Sequence, residues 1–178
     1  IRYFMEYNKS KKILLIVPTT SLVKQMYGDF ADYSKDDETF NPNVCHQIMA
    51  GIDKNADTQI YISTWQSIYK MPKEYFQQFG MVIGDEAHNF KAKSLTSILT
   101  KCSAAEYRFG LTGTLDGTQT HKLVLEGLFG PVYNVTSTKA LIDDNHLSDL
   151  DIEVVLLKHP EEMCKVISKL KYPDEISH

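Results

Sequence analysis

The sequence contains few cysteines and no long hydrophobic run. Three cysteines, Cys45, Cys102 and Cys164, are widely spaced in 178 residues. They form no CxxC pair and no metal-ligand pattern with the histidines. This argues against a disulfide framework and predicts reduced thiols in an intracellular protein. No apolar run approaches the roughly 18 residues that cross a bilayer. No signal peptide is visible either, so we expect no membrane association.

Positive charge is not in excess. Lys and Arg number 19 against 23 Asp and Glu, which gives a net charge of -4 at pH 7. This balance argues against broad, charge-driven nucleic-acid binding and leaves room for a local basic or polar groove. The chain is 43% hydrophobic, so it can bury a core of ordinary size. Its length indicates one domain, or one domain with a tail.

Short apolar runs alternate with segments of helical spacing. Ile13–Val17 is an apolar, β-branched run that a proline stops, which predicts a buried strand. Leu22, Met26 and Phe30 then recur at helical spacing. Further strands are predicted in "VCHQIMAG", "QIYIST", "MVIG" and "YRFG", and further helices in "WQSIYKMPKEYFQQF", where Pro72 breaks or starts a segment, and in "SLTSILTKC". This alternation is typical of an α/β fold with a parallel sheet.

Two adjacent acids, Asp85 and Glu86, directly follow the strand "MVIG". Ligands of open parallel sheets lie beyond the carboxyl ends of the strands. One carboxylate there can hold Mg²⁺, usually through water, and the other can orient or deprotonate a water that attacks a γ-phosphate. The alternative is a solvated acid pair at the start of a helix, where the helix dipole favours acids. The apolar strand before the pair and "AH" after it favour phosphate chemistry.

A second signal is the turn "LTGTL", which follows the strand "YRFG". Thr112 and Thr114 flank Gly113, so two hydroxyls lie on one tight turn. They can hydrogen-bond His88 and transmit a change at a phosphate site to another surface. Taken alone, the segment predicts a plain turn, where Thr and Gly are common. Its place in the next strand downstream of "DEAH" makes the functional interpretation much more specific.

Two further segments offer polar groups at predicted strand ends. "PTTSLVKQM" leads into a helix, so its hydroxyls and N-terminal amides can face a phosphate, and Thr20 or Ser21 can equally be a simple N-cap. In "ISTWQSI", Thr64 and Gln66 can contact a backbone phosphate and Trp65 can stack on a base. Core packing is an equal alternative for the single Trp.

These four blocks, in this order, resemble the first RecA-like motor domain of superfamily 2 DNA helicases. "PTTSLVKQM" resembles motif Ia, "ISTWQSI" the Ib region, "DEAH" motif II and "LTGTL" motif III. The resemblance covers the chain from Ile1 to about Val155. It implies a parallel sheet of the P-loop NTPase type, flanked by helices, and it implies ATP and Mg²⁺ as cofactors. The wider similarity is to phage helicases and type III restriction enzymes.

The resemblance also implies roles for individual residues. Asp85 would bind Mg²⁺ through water and Glu86 would activate the hydrolytic water. His88, Thr112, Gly113 and Thr114 would couple the ATP state to the grip on DNA. The side chains expected to contact single-stranded or branched DNA, mainly through its backbone, are Thr19, Thr20, Gln25, Thr64, Trp65 and Gln66.

The sequence lacks the phosphate-binding loop GxxxxGK[ST] that this family places before motif Ia. "IRYFMEYNKS" instead resembles the tail of the helix that follows that loop. We therefore expect residues 1–150 to be a partial N-terminal RecA-like ATP-binding domain without its first strand. We expect residues 151–178 to be an exit strand, from Ile152 to Leu157, and a linker toward an absent second RecA-like domain. Such a fragment would not hydrolyse ATP alone.

The leading interpretation is a part of an ATP-dependent DNA helicase or translocase that unwinds or branch-migrates DNA in replication-fork remodelling, recombination and repair. It would act in the cytoplasm, that of the host if the source is viral. One alternative is the motor part of a restriction or repair complex. Another is a DNA-binding module that has lost ATP turnover. An α/β protein for another phosphorylated ligand would explain "DEAH" and leave the other three blocks unexplained.

Overall fold

The computed structural model of the chain describes residues 1–35, 40–115, 119–148, 153–156 and 164. Strands and helices alternate through most of this part. The strands are β1 Lys12–Val17, β2 Cys45–Ile48, β3 Ile60–Thr64, β4 Phe79–Gly84 and β5 Tyr107–Gly110. The α-helices are α1 Arg2–Tyr7, α2 Thr20–Tyr33, α3 Trp65–Ile68, α4 Lys73–Phe76, α5 Lys93–Lys101, α6 Gln119–Phe129 and α7 Thr138–Asp143. Two short 3₁₀ helices span Pro42–Val44 and Ala87–Lys91.

The five strands form one parallel sheet in the order β2-β3-β1-β4-β5. β1 lies in the middle, between β3 and β4, and its residues from Ile13 to Val17 are all buried. A central parallel strand is covered on both faces, which is why its sequence is an uninterrupted apolar run. The predicted parallel α/β sheet is confirmed. Because the chain moves to opposite sides of β1, a crevice opens at the carboxyl ends of β1 and β4.

Each face of the sheet has its own hydrophobic core. Alternate residues of β1 point to opposite faces, so Leu14 and Ile16 belong to one core, and Ile13, Leu15 and Val17 belong to the other. The first core packs against α3, α4, α5 and α6, and the second packs against α1 and α2. The strands that end at the site therefore have a packed hydrophobic core on each face.

Turn residues define where the helices begin. Thr19 is the N-cap of α2, and its hydroxyl accepts a hydrogen bond from the Leu22 N–H at 3.3 Å. The N-cap, which was predicted at Thr20 or Ser21, is therefore Thr19, one residue before the first of these. Pro72 is the N-cap of α4, so it begins a helix, as one of its two predicted roles required.

The outer edge of β5 has no paired strand among the described residues. Tyr107 is 42% exposed, Phe109 47% and Leu111 55%. An apolar cleft of about 390 Å³ lies between these residues and α1, whose Phe4 ring meets Tyr107 edge to face at 5.6 Å between centroids. Among the described residues, β5 therefore has an unpaired outer edge, and its exposed apolar side chains lie on the face of the sheet toward α1.

The chain divides into two compact units, residues 1–133 and 134–178. In the second unit, the Ser137 hydroxyl caps α7 by accepting from the Ala140 N–H at 3.2 Å. Residues 153–156 lie within the predicted exit strand, yet they are not in a strand, and Val154–Leu156 are at least 76% exposed. The rest of that segment and most of the linker lie outside the described residues. The division at residue 150 stays a prediction.

None of the helices that the structure describes is long and apolar enough to cross a bilayer. Two of these helices, α6 and α7, were not predicted. In α6 the apolar pattern around Leu125 and Phe129 is interrupted by Gly127, which weakens the helical signal in the sequence.

Candidate functional site

The acids predicted at the tip of β4 lie where three strand ends converge. The Asp85 N–H donates to the Ile16 carbonyl of β1 at 2.9 Å. The Leu111 N–H donates to the Gly84 carbonyl at 2.8 Å. The Ala87 N–H then donates to the Leu111 carbonyl, also at 2.8 Å. Main-chain hydrogen bonds therefore continue beyond the ends of the strands and join motifs II and III directly.

Glu86 has a left-handed backbone conformation, with φ 50° and ψ 52°. This conformation costs a residue with a Cβ about 1–3 kcal/mol when the surroundings impose it. Here it is imposed by the bonded amides on either side, those of Asp85 and Ala87. Strain of this kind is concentrated at functional sites. The strain at Glu86 favours a functional role for the tip of β4, and that role stays a prediction.

His88 contacts both motifs. Its Nδ1 lies 2.9 Å from the Thr112 hydroxyl and 3.3 Å from Glu86 Oε2. The Thr112 hydroxyl donates to the Thr114 carbonyl at 3.0 Å and accepts from the Thr114 N–H at 3.2 Å. If the Thr112 proton is directed to the Thr114 carbonyl, the His88 tautomer that completes this contact carries its proton on Nδ1.

The turn "LTGTL" contributes differently from the prediction in one respect. One hydroxyl, that of Thr112, contacts His88, while Thr114 contributes its main chain to the network. Gly113 has no atom within 4 Å of the position a Cβ would occupy and does not have a positive φ, so the structure shows no steric requirement for glycine there. The expected contact between His88 and the turn is present. Its role in coupling stays a prediction.

A cleft of about 270 Å³ opens beside Asp85 at the ends of β1 and β4. Its walls include Pro18, Trp65 and Phe90, and Asn89 adds a second polar side chain. Trp65 is half-buried and meets Tyr69 edge to face at 5.8 Å, so it packs on the core and also lines the cleft. The two alternatives left open for this Trp are therefore compatible. Asn89 and Phe90 were not predicted, although they directly follow "DEAH".

The residues predicted to bind nucleic acid differ in accessibility. Thr19, Thr20, Gln25 and Gln66 are exposed. Thr64 is only 4% exposed, and its hydroxyl lies 3.0 Å from the Ser67 hydroxyl. A direct phosphate contact by Thr64 would require this hydrogen bond to be replaced.

The side chains in this crevice fit Mg²⁺ only when waters and substrate phosphates supply the other ligands. Among the described residues, no cluster of three or more His, Cys, Asp or Glu side chains could hold a metal. Asp85 stands as a single carboxylate in the crevice, with Asn89 near it. Mg²⁺ commonly binds through one or two carboxylates, several waters and substrate phosphates, so this donor set fits a phosphate-bound Mg²⁺.

The thiols of Cys45 and Cys102 are buried and unreactive. Burial raises the pKa of the Cys102 thiol to about 12, which the nearby Arg108 offsets only in part, and burial raises that of Cys45 to about 11. Neither is in a disulfide. Both thiols stay protonated at neutral pH.

Comparison with known proteins defines the class. The family model of the type III restriction enzyme res subunit matches residues 1–117, which include motifs Ia, Ib, II and III. The chain therefore belongs to this family. The match ends just beyond "LTGTL".

The particular relatives are phage and archaeal helicases. The chain is 35% identical to the ATP-dependent DNA helicase uvsW of Enterobacteria phage T4 over 98% of its length, and it spans 35% of that protein. It matches a crystal structure of the phage T4 UvsW helicase with a TM-score of 0.64 and 39% identity, over 74% of this chain and 46% of that one. It matches the Pyrococcus furiosus Hef helicase domain with a TM-score of 0.66 over 94% of this chain and 38% of that one. At 16% identity, the Hef match shows the fold alone. The predicted RecA-like helicase fold is confirmed.

Proposed function

We propose that the chain is the part of an ATP-dependent DNA helicase or translocase that contains motifs Ia, Ib, II and III. The observation that supports this most directly is the junction of motifs II and III. Asp85 and Glu86 lie at one strand tip, and main-chain hydrogen bonds and His88 join them to the turn after the next strand. A phosphate site and a signalling turn are thereby in direct contact.

In this proposal each residue acts on water, phosphate or proton position. Asp85 would hold a Mg²⁺ ion through water, and such an ion would supply neutralisation of phosphate charge. Glu86, with its carboxylate half-exposed, orients the attacking water and accepts its proton. His88 donates from Nδ1 toward Thr112 and lies beside Glu86, so the position of its ring depends on both the carboxylate and the turn.

The missing phosphate-binding loop has a natural place in the sheet. We propose that the parent protein pairs its loop-bearing strand with the open outer edge of β5. That strand would cover Tyr107 and Phe109, whose exposure leaves the edge apolar. Its carboxyl end would meet those of β4 and β5, where the loop can face Asp85 and Glu86.

DNA would lie across the start of α2 and the α3 region. Thr19, Thr20 and Gln25 are exposed on the first of these, and Gln66 is exposed on the second, with Trp65 in the cleft between them. Contacts of this type are mainly to the backbone, so sequence preference would be weak. A second RecA-like domain of the parent protein would complete the motor. Branched DNA and the host cytoplasm are our proposed substrate and location, since the phage T4 relative's name specifies only an ATP-dependent DNA helicase.

A second candidate is the motor part of a restriction complex. The family match to the res subunit favours it, and the local chemistry would be the same. A nuclease or DNA-specificity domain in the parent protein would distinguish it from a helicase of recombination.

The decisive experiment compares ATP turnover by this chain and by the parent protein, with and without DNA. We expect no turnover by the chain alone and DNA-stimulated turnover by the parent. Glu86→Gln should lower the parent's kcat at least about 100-fold, because it removes the proton acceptor. Turnover by the chain alone, abolished by Glu86→Gln, would refute the inactivity of the fragment. An inactive parent would refute the motor assignment and favour the DNA-binding module.

A further inference from the structure

Two glycines face each other at the end of the ladder between β4 and β5. Gly84 is paired with Gly110, and motifs II and III begin at the next residues. Neither position has room for a side chain. A Cβ at Gly84 would lie 2.6 Å from the Phe90 Cζ, and one at Gly110 would lie 3.0 Å from the Phe129 Cδ2. The strand ends are therefore covered by aromatic rings at van der Waals distance.

The Phe129 ring spans both strands. Its inner atoms, Cγ and Cδ2, lie over Gly110, while its outer atom Cζ would be 3.2 Å from a Cβ at Gly84. The same ring meets Phe90 edge to face, with centroids 5.2 Å apart and planes at 76°. Phe90 belongs to the 3₁₀ helix that begins directly after Glu86. One ring thus contacts both strand ends and the aromatic residue of motif II's own loop.

The position of Phe129 is itself well defined. It is the last residue of α6, and Gly130 ends the helix with φ +97° and an N–H that donates to the Glu126 carbonyl at 2.9 Å. Leu125, one turn earlier, is buried in the same core. α6 is therefore anchored, and its end is placed over the strand tips.

We propose that Phe129 is a positioning residue for Asp85 and Glu86. By packing on Gly84, Gly110 and Phe90, it holds the ends of β4 and β5 at the separation that brings Glu86, His88 and Thr112 together. This inference deepens the proposed ATPase function and rests on it. It also connects α6 mechanically to motif II, although Phe129 itself touches no predicted ligand.

The test uses the parent protein with Phe129→Leu, which keeps an apolar side chain but cannot span both strands. The kcat for ATP should fall about 10- to 100-fold, because small misplacements of catalytic groups have effects of this size. The KM for ATP should stay within about twofold. Phe129→Tyr, which keeps the ring, should restore kcat to within about threefold of the parent.

Ile98→Val is the matched control. Ile98 is buried in the same core cluster and belongs to α5, and the change removes one methyl group there. It should lower the melting temperature without lowering kcat. Equal kcat values for Phe129→Leu and Ile98→Val in an active parent would overturn the proposal.

A second measurement separates failure of this inference from failure of the proposed function. Amide hydrogen exchange in the 178-residue chain reports the main-chain bonds of Ala87 and Leu111, which join the two motifs. Phe129→Leu should speed their exchange at least about tenfold relative to Ile98→Val, with the core amide of Leu15 changed equally in both. Unchanged exchange at Ala87 and Leu111 would overturn the positioning role even if the parent proved inactive.

Discussion

The two edges of the sheet are built differently. At the β2 edge, Ile48 is completely buried, and the His46 ring lies 2.7 Å from the Asp53 carbonyl of the loop that follows. At the β5 edge, Tyr107 and Phe109 are 42% and 47% exposed. Natural proteins protect edge strands with polar residues, loops or short length. The β2 edge has such protection, whereas the β5 edge presents aromatic rings.

This difference is the reason we propose that, in the parent protein, a further strand pairs at β5 rather than at β2. β5 lies next to β4, so a strand added at the open edge would lie two strand spacings, about 10 Å, from the strand that precedes Asp85 and Glu86, at roughly 4.8 Å per spacing. A strand added at β2 would lie on the far side of β1 and β3. The apolar edge and the acidic strand tip therefore belong to the same half of the molecule.

The largest expected loss of stability is at the β2 edge. Ile48→Ala should lower the free energy of unfolding of the chain by about 2–5 kcal/mol, because it leaves a cavity in a packed core. Phe109→Ala at the open edge should cost about 1 kcal/mol, since half of that ring is already in water. Chemical denaturation measures both. Equal losses at the two edges would contradict the distinction.

In the parent protein, we expect a further strand to pair with the outer edge of β5. Phe109→Asp should destabilise the parent by about 2 kcal/mol more than it destabilises the 178-residue chain, because a charge would be buried only where a further strand covers the edge. The control is Tyr133→Asp, at a side chain 80% exposed, which should behave alike in both proteins. The same cost for Phe109→Asp in both would mean that no strand packs there.

Removing the contact between His88 and Thr112, which joins motifs II and III, should lower stability less than Ile48→Ala does at the β2 edge. Thr112→Val keeps the shape of the side chain and removes the hydroxyl that His88 contacts, which should cost about 1 kcal/mol of stability. The NMR signal of the His88 Nδ1 proton should weaken through faster exchange with water. A signal as sharp as in the unmodified chain would show that the bond to Thr112 does not hold the ring.

The smallest expected effect is an increase in the stability of the chain. Glu86→Gly should stabilise the chain by about 0.5–1 kcal/mol, because glycine adopts the left-handed conformation without strain. The melting temperature measures it, and Ser103→Gly offers a comparison at another polar residue. A lower melting temperature for Glu86→Gly would show that the Glu86 side chain stabilises the fold by more than its backbone strains it.

Much of the fold could be predicted because it depends on local patterns. The apolar run before Pro18 and the spacing of Leu22, Met26 and Phe30 each correspond to an observed element. The helix α6 was missed because Gly127 interrupts its pattern. The accessibility of Thr64 could not be predicted either, since its burial depends on packing of the following α3 helix against the sheet.

The sequence by itself determined which residues stand at strand tips, since strand ends and turn chemistry are set within a few neighbouring residues. It thereby placed Asp85, Glu86 and the Thr112 turn at candidate sites. Only the tertiary structure decided that β4 and β5 are neighbours, that Glu86 is left-handed and that Phe129 covers two glycines far from it in sequence. The physical reason is that strand order and interior packing depend on contacts between distant segments, which no local periodicity records.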